Sequence, residues 1–110
     1  MSGRKRIETF QRDNCLVGII FDHRGKENAI GTQELVRALR ENGYSVQADH
    51  IHGIVKKVVL ERHLPICALT QSGYYLATSQ QDLQCCIDEL QNKINGLQER
   101  IDLLKSFICE

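Results

Sequence analysis

The sequence predicts an α+β fold that is mainly α, in which a head of three helices and a β-hairpin precedes one long C-terminal helix. Its 110 residues, 42% hydrophobic and 25% charged, have the size and composition of a single globular domain. A heptad repeat of apolar residues fills the chain from Gln80 onward, and short apolar runs separated by turn residues precede it. We therefore divide the chain into a flexible basic arm over 1–11, a head over 12–78 and a dimerisation helix over 79–110.

Composition excludes several classes of protein. No apolar run approaches the roughly 20 residues that cross a bilayer, and the N-terminus is polar, so we expect a cytoplasmic chain without a membrane segment. The five cysteines include no Cys-x-x-Cys pair and are odd in number, which argues against a zinc finger and against a disulfide framework. We accordingly expect neither a metal nor another cofactor.

Although the net charge of the chain is zero, its positive and negative charges are unevenly distributed along the sequence. Residues 1–79 carry eleven Lys and Arg against eight Asp and Glu, whereas residues 80–110 carry three against six. A mildly basic head is suited to phosphate and an acidic helix is not, although chance explains so modest an asymmetry equally well.

The head begins with a helix and a very short strand. Asp13 can cap the first helix, which continues through a buried apolar stretch and ends near Gly25. Ala29 and Ile30 follow as the short strand.

Two further helices follow in the head. Thr32 opens the second helix and Asn42-Gly43 closes it; after a tight turn, Ser45 caps a third helix that starts at Val46. The residues spaced to face a core are Leu35, Val36 and Leu39 in the second helix, and Ile51, Ile54, Val55 and Val58 in the third. The connecting turn is too short for an antiparallel pair, so the third helix projects outward.

A β-hairpin completes the head. The sequence predicts one strand over Leu64–Ala68, a turn over Thr70–Gly73 and a second, antiparallel strand over Tyr74–Ala77. Helix, short strand, helix, tight turn, helix and hairpin is the order of a winged helix-turn-helix domain.

The C-terminal helix carries a seam of eight apolar residues at spacings of four and three. They are Leu83, Ile87, Leu90, Ile94, Leu97, Ile101, Leu104 and Ile108. Leu at every d position and Ile at every a position favours a two-stranded parallel coiled coil, and Ser79 with Asp82 can cap the start of the helix. The alternative is a helix that folds back and packs its seam on its own head.

Charges beside the seam do not specify a partner. Lys93 and Arg100 occupy g positions and Lys105 an e position, and none of them meets an opposite charge in a parallel pair. Parallel pairing is thus favoured only by the residues at a and d.

In a winged helix-turn-helix domain, the third helix carries the side chains that contact DNA. Gln can pair with the edge of adenine and Lys can contact phosphate, although a polar face can also serve only to keep a helix solvated. A His-x-His pair on a helix points in diverging directions, so we expect no metal site there. The candidate DNA-binding residues are Arg4, Lys5 and Arg6 in the arm, Thr32, Gln47, His50, Lys56 and Lys57 in the helices, and Gln71 and Ser72 in the hairpin turn.

The hairpin residues resemble a known group of proteins. The runs Leu64-Pro65-Ile66-Cys67 and Ser72-Gly73-Tyr74-Tyr75-Leu76-Ala77-Thr78-Ser79 are similar to the wing of helix-turn-helix proteins common in bacteriophages and prophages. The resemblance covers about residues 12–90 and implies a nucleic-acid-binding protein with its third helix in the major groove and its hairpin turn near the backbone. The third helix departs from the group, which is richer in Arg there, by carrying Asp49 and two histidines.

The function we predict is that of a dimeric, double-stranded DNA-binding protein, either a phage or prophage transcriptional regulator or a replication accessory factor. The alternative is a winged-helix scaffold that binds or inhibits a host or phage protein, which the zero net charge favours. No motif of nucleophilic, metal-dependent or phosphate-cradling catalysis occurs, so we do not expect an enzyme. Cys15 and Cys67 fall in apolar elements and are expected to be buried structural thiols.

Overall fold

Four helices and one antiparallel hairpin make up the chain in a computed structural model that describes the backbone of residues 2–108 and the side chains of residues 7–108. The elements in order are α1 (Ser2–Phe21), a single 3₁₀ turn (Lys26–Asn28), α2 (Thr32–Glu41), α3 (Ala48–Arg62), β1 (Ile66–Leu69), β2 (Gly73–Leu76) and α4 (Gln80–Ile108). The mainly helical fold with one hairpin and a long last helix is confirmed. None of the described helices has both the length and the apolar character that a membrane span requires.

The hairpin is joined to the residue that precedes α2. β1 and β2 pair antiparallel, with Cys67 opposite Tyr75. Ile30 forms a further antiparallel bridge to Tyr74, through two backbone hydrogen bonds of 2.8 Å, which confirms the short strand predicted there. The start of α2 is thereby held against the second strand of the hairpin.

The core lies between α1, α2, α3 and the inner face of the hairpin. From the hairpin, Ile66 and Tyr74 belong to this core, whereas the fully buried Tyr75 lies on the other face of β2, with its hydroxyl against Asp82 of α4. The largest fully buried side chains are Tyr75, Leu16, Ile20, Leu35, Leu39, Ile51 and Val58. The predicted core faces of α2 and α3 are confirmed, with Ile54 only partly buried.

The first helix is longer than predicted. The sequence suggested a flexible arm over 1–11 and a helix start at Asp13, but α1 is helical from Ser2. Asp13 lies inside α1 and is buried, and its carboxylate accepts hydrogen bonds from Arg12, at 3.1 and 3.2 Å, and from Lys57, at 3.4 Å. Because these two cations satisfy the carboxylate, it does not need the free N–H groups of a helix end.

The third helix starts later than predicted. The sequence suggested Ser45 as the cap and Val46 as the first residue, but Gln47 is the N-cap and α3 begins at Ala48. Val46 is buried in the connection between α2 and α3, and its carbonyl accepts a 3.0 Å hydrogen bond from Nε of Arg40. Burial of this side chain in the core takes precedence over the capping preference of the serine beside it.

Gly73 is a position where only glycine fits. Its φ is +102°, and a Cβ there would lie 2.2 Å from the carbonyl oxygen of Ile30. Gly73→Ala should therefore lower the free energy of unfolding by about 2 kcal/mol or more, because left-handed backbone costs L-residues about 1–2 kcal/mol before the clash is counted. Urea denaturation measures the change.

Gly18→Ala is the matched control for this substitution. Gly18 lies inside α1 with no atom within 4 Å of the position of a Cβ, and alanine is favoured over glycine in a helix by about 1 kcal/mol. The control should keep or raise the stability. Equal stability of the two variants would show that the hairpin does not depend on its close approach to Ile30.

Candidate nucleic-acid interface

A cleft of about 250 Å³ opens where the start of α2, the middle of α3 and the hairpin turn meet. Gly31 and Thr32 line it from the α2 side and His52 from α3. Residues 68–74 of the hairpin and Lys93 of α4 complete the lining. The cleft thus unites four elements that are far apart in the sequence.

The cleft is suited to an anionic ligand. Its described lining residues offer hydroxyls, an amide, an imidazole and one ammonium group, and none of them is a carboxylate. Three other surface clefts each include an acidic side chain, from Glu8, Glu27 or Glu41. Donor groups and positive charge without a carboxylate are what a phosphate requires.

The structure brings some of the sequence-predicted DNA-binding residues together and separates others. Thr32, Gln71 and Ser72 lie in the cleft, and the sequence had placed them in two separate parts of the head, the second helix and the hairpin turn. Gln47 and His50 are exposed at the start of α3 and are not among the lining residues. The side chains of the predicted basic arm, Arg4, Lys5 and Arg6, fall outside the described residues.

Lys57 is part of an ion-pair cluster and does not lie on a free face. Its Nζ lies 3.4 Å from Asp13, which also binds Arg12, and both ion pairs found among the described side chains converge on this carboxylate. Lys57 therefore joins α3 to α1. The expectation that Gln47, His50 and Lys57 share the outward face of α3 is wrong, because Gln47 precedes the helix and Lys57 points towards α1.

The outward face of α3 is centred on other residues. Asp49, Gly53, Lys56 and Leu60 follow one another at spacings of four, three and four, so they share one stripe of the helix, and all are exposed. Leu60 has 66% of its surface exposed. This stripe thus presents one cation, one anion and one large apolar side chain.

The start of α4 is attached to the head through Asp82. The Asp82 carboxylate accepts hydrogen bonds from the backbone N–H of Thr78, at 3.0 Å, and from its hydroxyl, at 3.2 Å. The backbone N–H of Asp82 donates to Oγ of Ser79, at 3.1 Å, which confirms the predicted cap. The Asp82 carbonyl accepts a 2.9 Å hydrogen bond from the Tyr75 hydroxyl, so the helix start is tied to the most deeply buried side chain of the hairpin.

A second attachment lies at the hairpin turn. The Glu89 carboxylate accepts the backbone N–H of Thr70 at 3.0 and 3.2 Å, and this hydrogen bond lowers the pKa of Glu89. α4 therefore starts below the base of the hairpin, runs along β1 and reaches the turn at Glu89, with Lys93 one helical turn further on. Residues 94–108 extend beyond this point by about 22 Å at 1.5 Å per residue.

The face of α4 that packs on the head is not the apolar seam. Asp82, Cys86 and Glu89 form hydrogen bonds to the hairpin, and the seam lies about 100° further round the helix. The eight seam residues have 39–82% of their surface exposed. The alternative of a helix that folds back on its own head holds only for the first turns of α4, which lie along β1, and the seam itself does not pack on the head.

The cysteines are free thiols in the described part of the chain. Cys67 is buried as predicted, whereas Cys15 is only partly buried. Burial, with a contribution from the neighbouring Cys86, raises the pKa of Cys67 to about 12, so this thiol stays protonated at neutral pH. No group of three or more His, Cys, Asp or Glu side chains among the described residues is arranged to hold a metal ion.

Comparison of the chain with protein-family models, with curated proteins and with solved structures gives no match.

The attachment of α4 should depend on pH through Asp82. Hydrogen bonds from Thr78 lower the pKa of Asp82 in the folded chain, so the stabilisation is present above the ordinary carboxyl pKa, near 4, and is lost as pH falls through the lower folded value. Asp82→Asn should lower the melting temperature at pH 7, by roughly 4–8 °C for each kcal/mol of stability that is lost. The difference from the unsubstituted protein should shrink at pH 3.

Asp88→Asn is the control for the pH experiment. Asp88 is an exposed carboxylate of the same helix that accepts a hydrogen bond from Gln84, and its replacement should leave the melting temperature almost unchanged. If Asp82→Asn lowers the melting temperature equally at pH 3 and at pH 7, the effect arises from packing and not from charge.

Proposed function

We propose that the chain is a dimeric DNA-binding protein of the winged helix-turn-helix type. The observation that carries the proposal is the cleft formed by α2, α3 and the hairpin turn, whose described lining has no carboxylate and contains Thr32, His52, Gln71, Ser72 and Lys93. The order of elements supports it, because three helices precede a hairpin that pairs with Ile30, two residues before α2. In winged-helix domains the corresponding elements contact the groove and the backbone.

The second part of the proposal is that two copies of the chain pair through α4. α4 carries a heptad seam that its own head leaves uncovered, and exposed stripes of this size are covered by a partner in soluble proteins. A second copy of the chain offers an identical seam, with Ile at a and Leu at d. Two linked heads bind two half-sites more tightly than one head, because the second contact becomes intramolecular.

The proposed mechanism is steric and needs no cofactor. A dimer that occupies two related half-sites blocks another protein from the same DNA or recruits one to it. The similarity of the hairpin residues to the wings of phage and prophage proteins supports a role in phage or prophage transcription or replication.

A second candidate function, binding to a protein, is favoured by the outward stripe of α3. Asp49 repels phosphate, and Leu60 places a large apolar side chain where DNA contacts are expected. Lys57, one of the cations predicted for this helix, is engaged by Asp13. On this alternative, the α3 stripe and the α4 seam are both protein-binding surfaces.

Disruption of the seam should separate the chains. Ile94 lies in the middle of the seam, and Ile94→Lys would place an unpaired ammonium group in the interface, at a cost of about 3–5 kcal/mol. We expect the unsubstituted protein to sediment as a dimer at micromolar concentrations and the variant as a monomer with a folded head. Asn95→Lys adds the same charge at the next, outward-facing position and should remain dimeric; a monomeric unsubstituted chain would contradict the proposal.

Binding to DNA is the direct test of the proposed function. Fluorescence anisotropy with a mixed-sequence duplex of about two helical turns, at about 50 to 200 mM salt, measures contacts to the backbone without knowledge of the preferred site. Lys56 is the cation at the centre of the outward stripe of α3, and it makes no ion pair with any described residue. Lys56→Gln should lower the slope of log affinity against log salt by about 0.9 per head.

Lys105→Gln is the control for Lys56→Gln. It removes the same charge near the far end of α4 and should leave the slope unchanged. Absence of binding by the unsubstituted protein, even at low salt, would favour the protein-binding function.

A further inference from the structure

We infer that Lys93 of α4 contacts a phosphate group of the nucleic-acid backbone, so that the long helix forms part of the DNA-binding surface as well as the dimer. The inference rests on the proposed function and names a contact that the three helices and the hairpin of the head do not supply. It concerns one of the three cations in the segment 80–110, which has a net negative charge.

The position of Lys93 follows from the two attachments of α4. Asp82 fixes the start of the helix below the hairpin, and Glu89 binds the N–H of Thr70 at the turn. Lys93 follows Glu89 by four residues, so it lies on the same side of α4, one helical turn further along. Lys93 thus lines the cleft opposite Thr32 and His52.

The charges around the cleft favour phosphate at this place. Lys93 is the one Lys or Arg among the described residues that line the cleft, whereas Thr32, Gln71 and Ser72 contribute neutral hydrogen-bonding groups. The nearby Glu89 carboxylate accepts the Thr70 N–H and is also attracted by Lys93, which adds to the lowering of its pKa, but the two groups do not approach to ion-pair distance. A lysine ammonium is an established partner of phosphate, and here it is not neutralised by a direct ion pair.

A role in helix pairing alone does not account for this placement. Lys93 and Arg100 occupy equivalent g positions beside the seam, one heptad apart. Arg100 lies about 10 Å further along α4 and is not among the residues that line the cleft. If Lys93 only flanked the coiled coil, the two cations would behave alike in DNA binding.

The test compares Lys93→Gln with Arg100→Gln in the full chain. Both remove one positive charge from a g position, and sedimentation establishes that both remain in the oligomeric state of the unsubstituted protein. Affinity for the mixed-sequence duplex is measured by anisotropy over a range of salt. Lys93→Gln should lower the slope of log affinity against log salt by about 0.9 per head and weaken binding at about 0.1 M salt by about eightfold for each head in contact.

The variants also separate a charge contact from a structural effect. Lys93→Arg keeps the charge and should keep the slope, and Arg100→Gln should change the slope by less than half as much as Lys93→Gln. Equal effects of Lys93→Gln and Arg100→Gln, or no effect of Lys93→Gln on a protein that binds DNA, would overturn the inference while leaving the proposed function in place. Failure of the unsubstituted protein to bind the duplex would overturn both.

Discussion

The hydrogen bonds around Asp82 determine how the two parts of the chain are arranged. Its carboxylate accepts the backbone N–H and hydroxyl of Thr78 and lies beside the backbone N–H of Lys26, which helps to lower its pKa, while its own carbonyl accepts the Tyr75 hydroxyl. One residue therefore connects the 3₁₀ turn, the end of β2 and the first turn of α4. Gly25, with a φ of +81°, brings the backbone close to this carboxylate. Because the start of α4 is fixed here, the helix runs along β1 and not away from the head.

Because of this attachment, one face of α4 packs on the head and the adjacent face does not. The face of Asp82, Cys86 and Glu89 packs on the hairpin and brings Lys93 to the cleft, whereas the seam lies on the adjacent face and stays exposed. Packing on this side leaves the entire apolar stripe exposed, and in the proposed dimer a second copy of the chain covers it. The head is held together separately, by the core that α1, α2 and α3 form with the Tyr74 face of the hairpin and by the ion pairs of Asp13 with Arg12 and Lys57.

Local chemistry made much of the fold predictable, and long-range contacts account for what was missed. The heptad spacing and the Ser79 cap gave α4, and the apolar spacing gave the core faces of α2 and α3. The predictions missed the burial of Asp13, which accompanies the early start of α1 and draws Lys57 towards α1. They also missed the burial of Val46, which accompanies the late start of α3. In the candidate site, Thr32, Gln71 and Ser72 were predicted, but Lys93 was assigned only to the coiled coil. The spacing of seven and four residues between Asp82, Glu89 and Lys93 is the pattern that places them on one side of α4. Because these residues are polar, the same pattern is typical of a solvent-exposed helix face.

In the proposed dimer, the apolar contacts of the seam outweigh the charges beside it and are compatible with either orientation of the two helices. Each Leu or Ile side chain contributes about 1.5–3 kcal/mol when it is fully withdrawn from water, and eight such side chains line α4. In a parallel pair, Arg100 faces Lys105 of the other copy; in an antiparallel pair the g positions, Lys93 and Arg100, face each other. Exposed charge contacts of this kind change the free energy by under about 1 kcal/mol, so the apolar term dominates in both orientations. A phosphate at the cleft would neutralise Lys93 and reduce the repulsion along this flank of the seam. By linkage, DNA binding at the cleft and pairing of the helices would then strengthen each other, most of all in the orientation that brings Lys93 against Arg100.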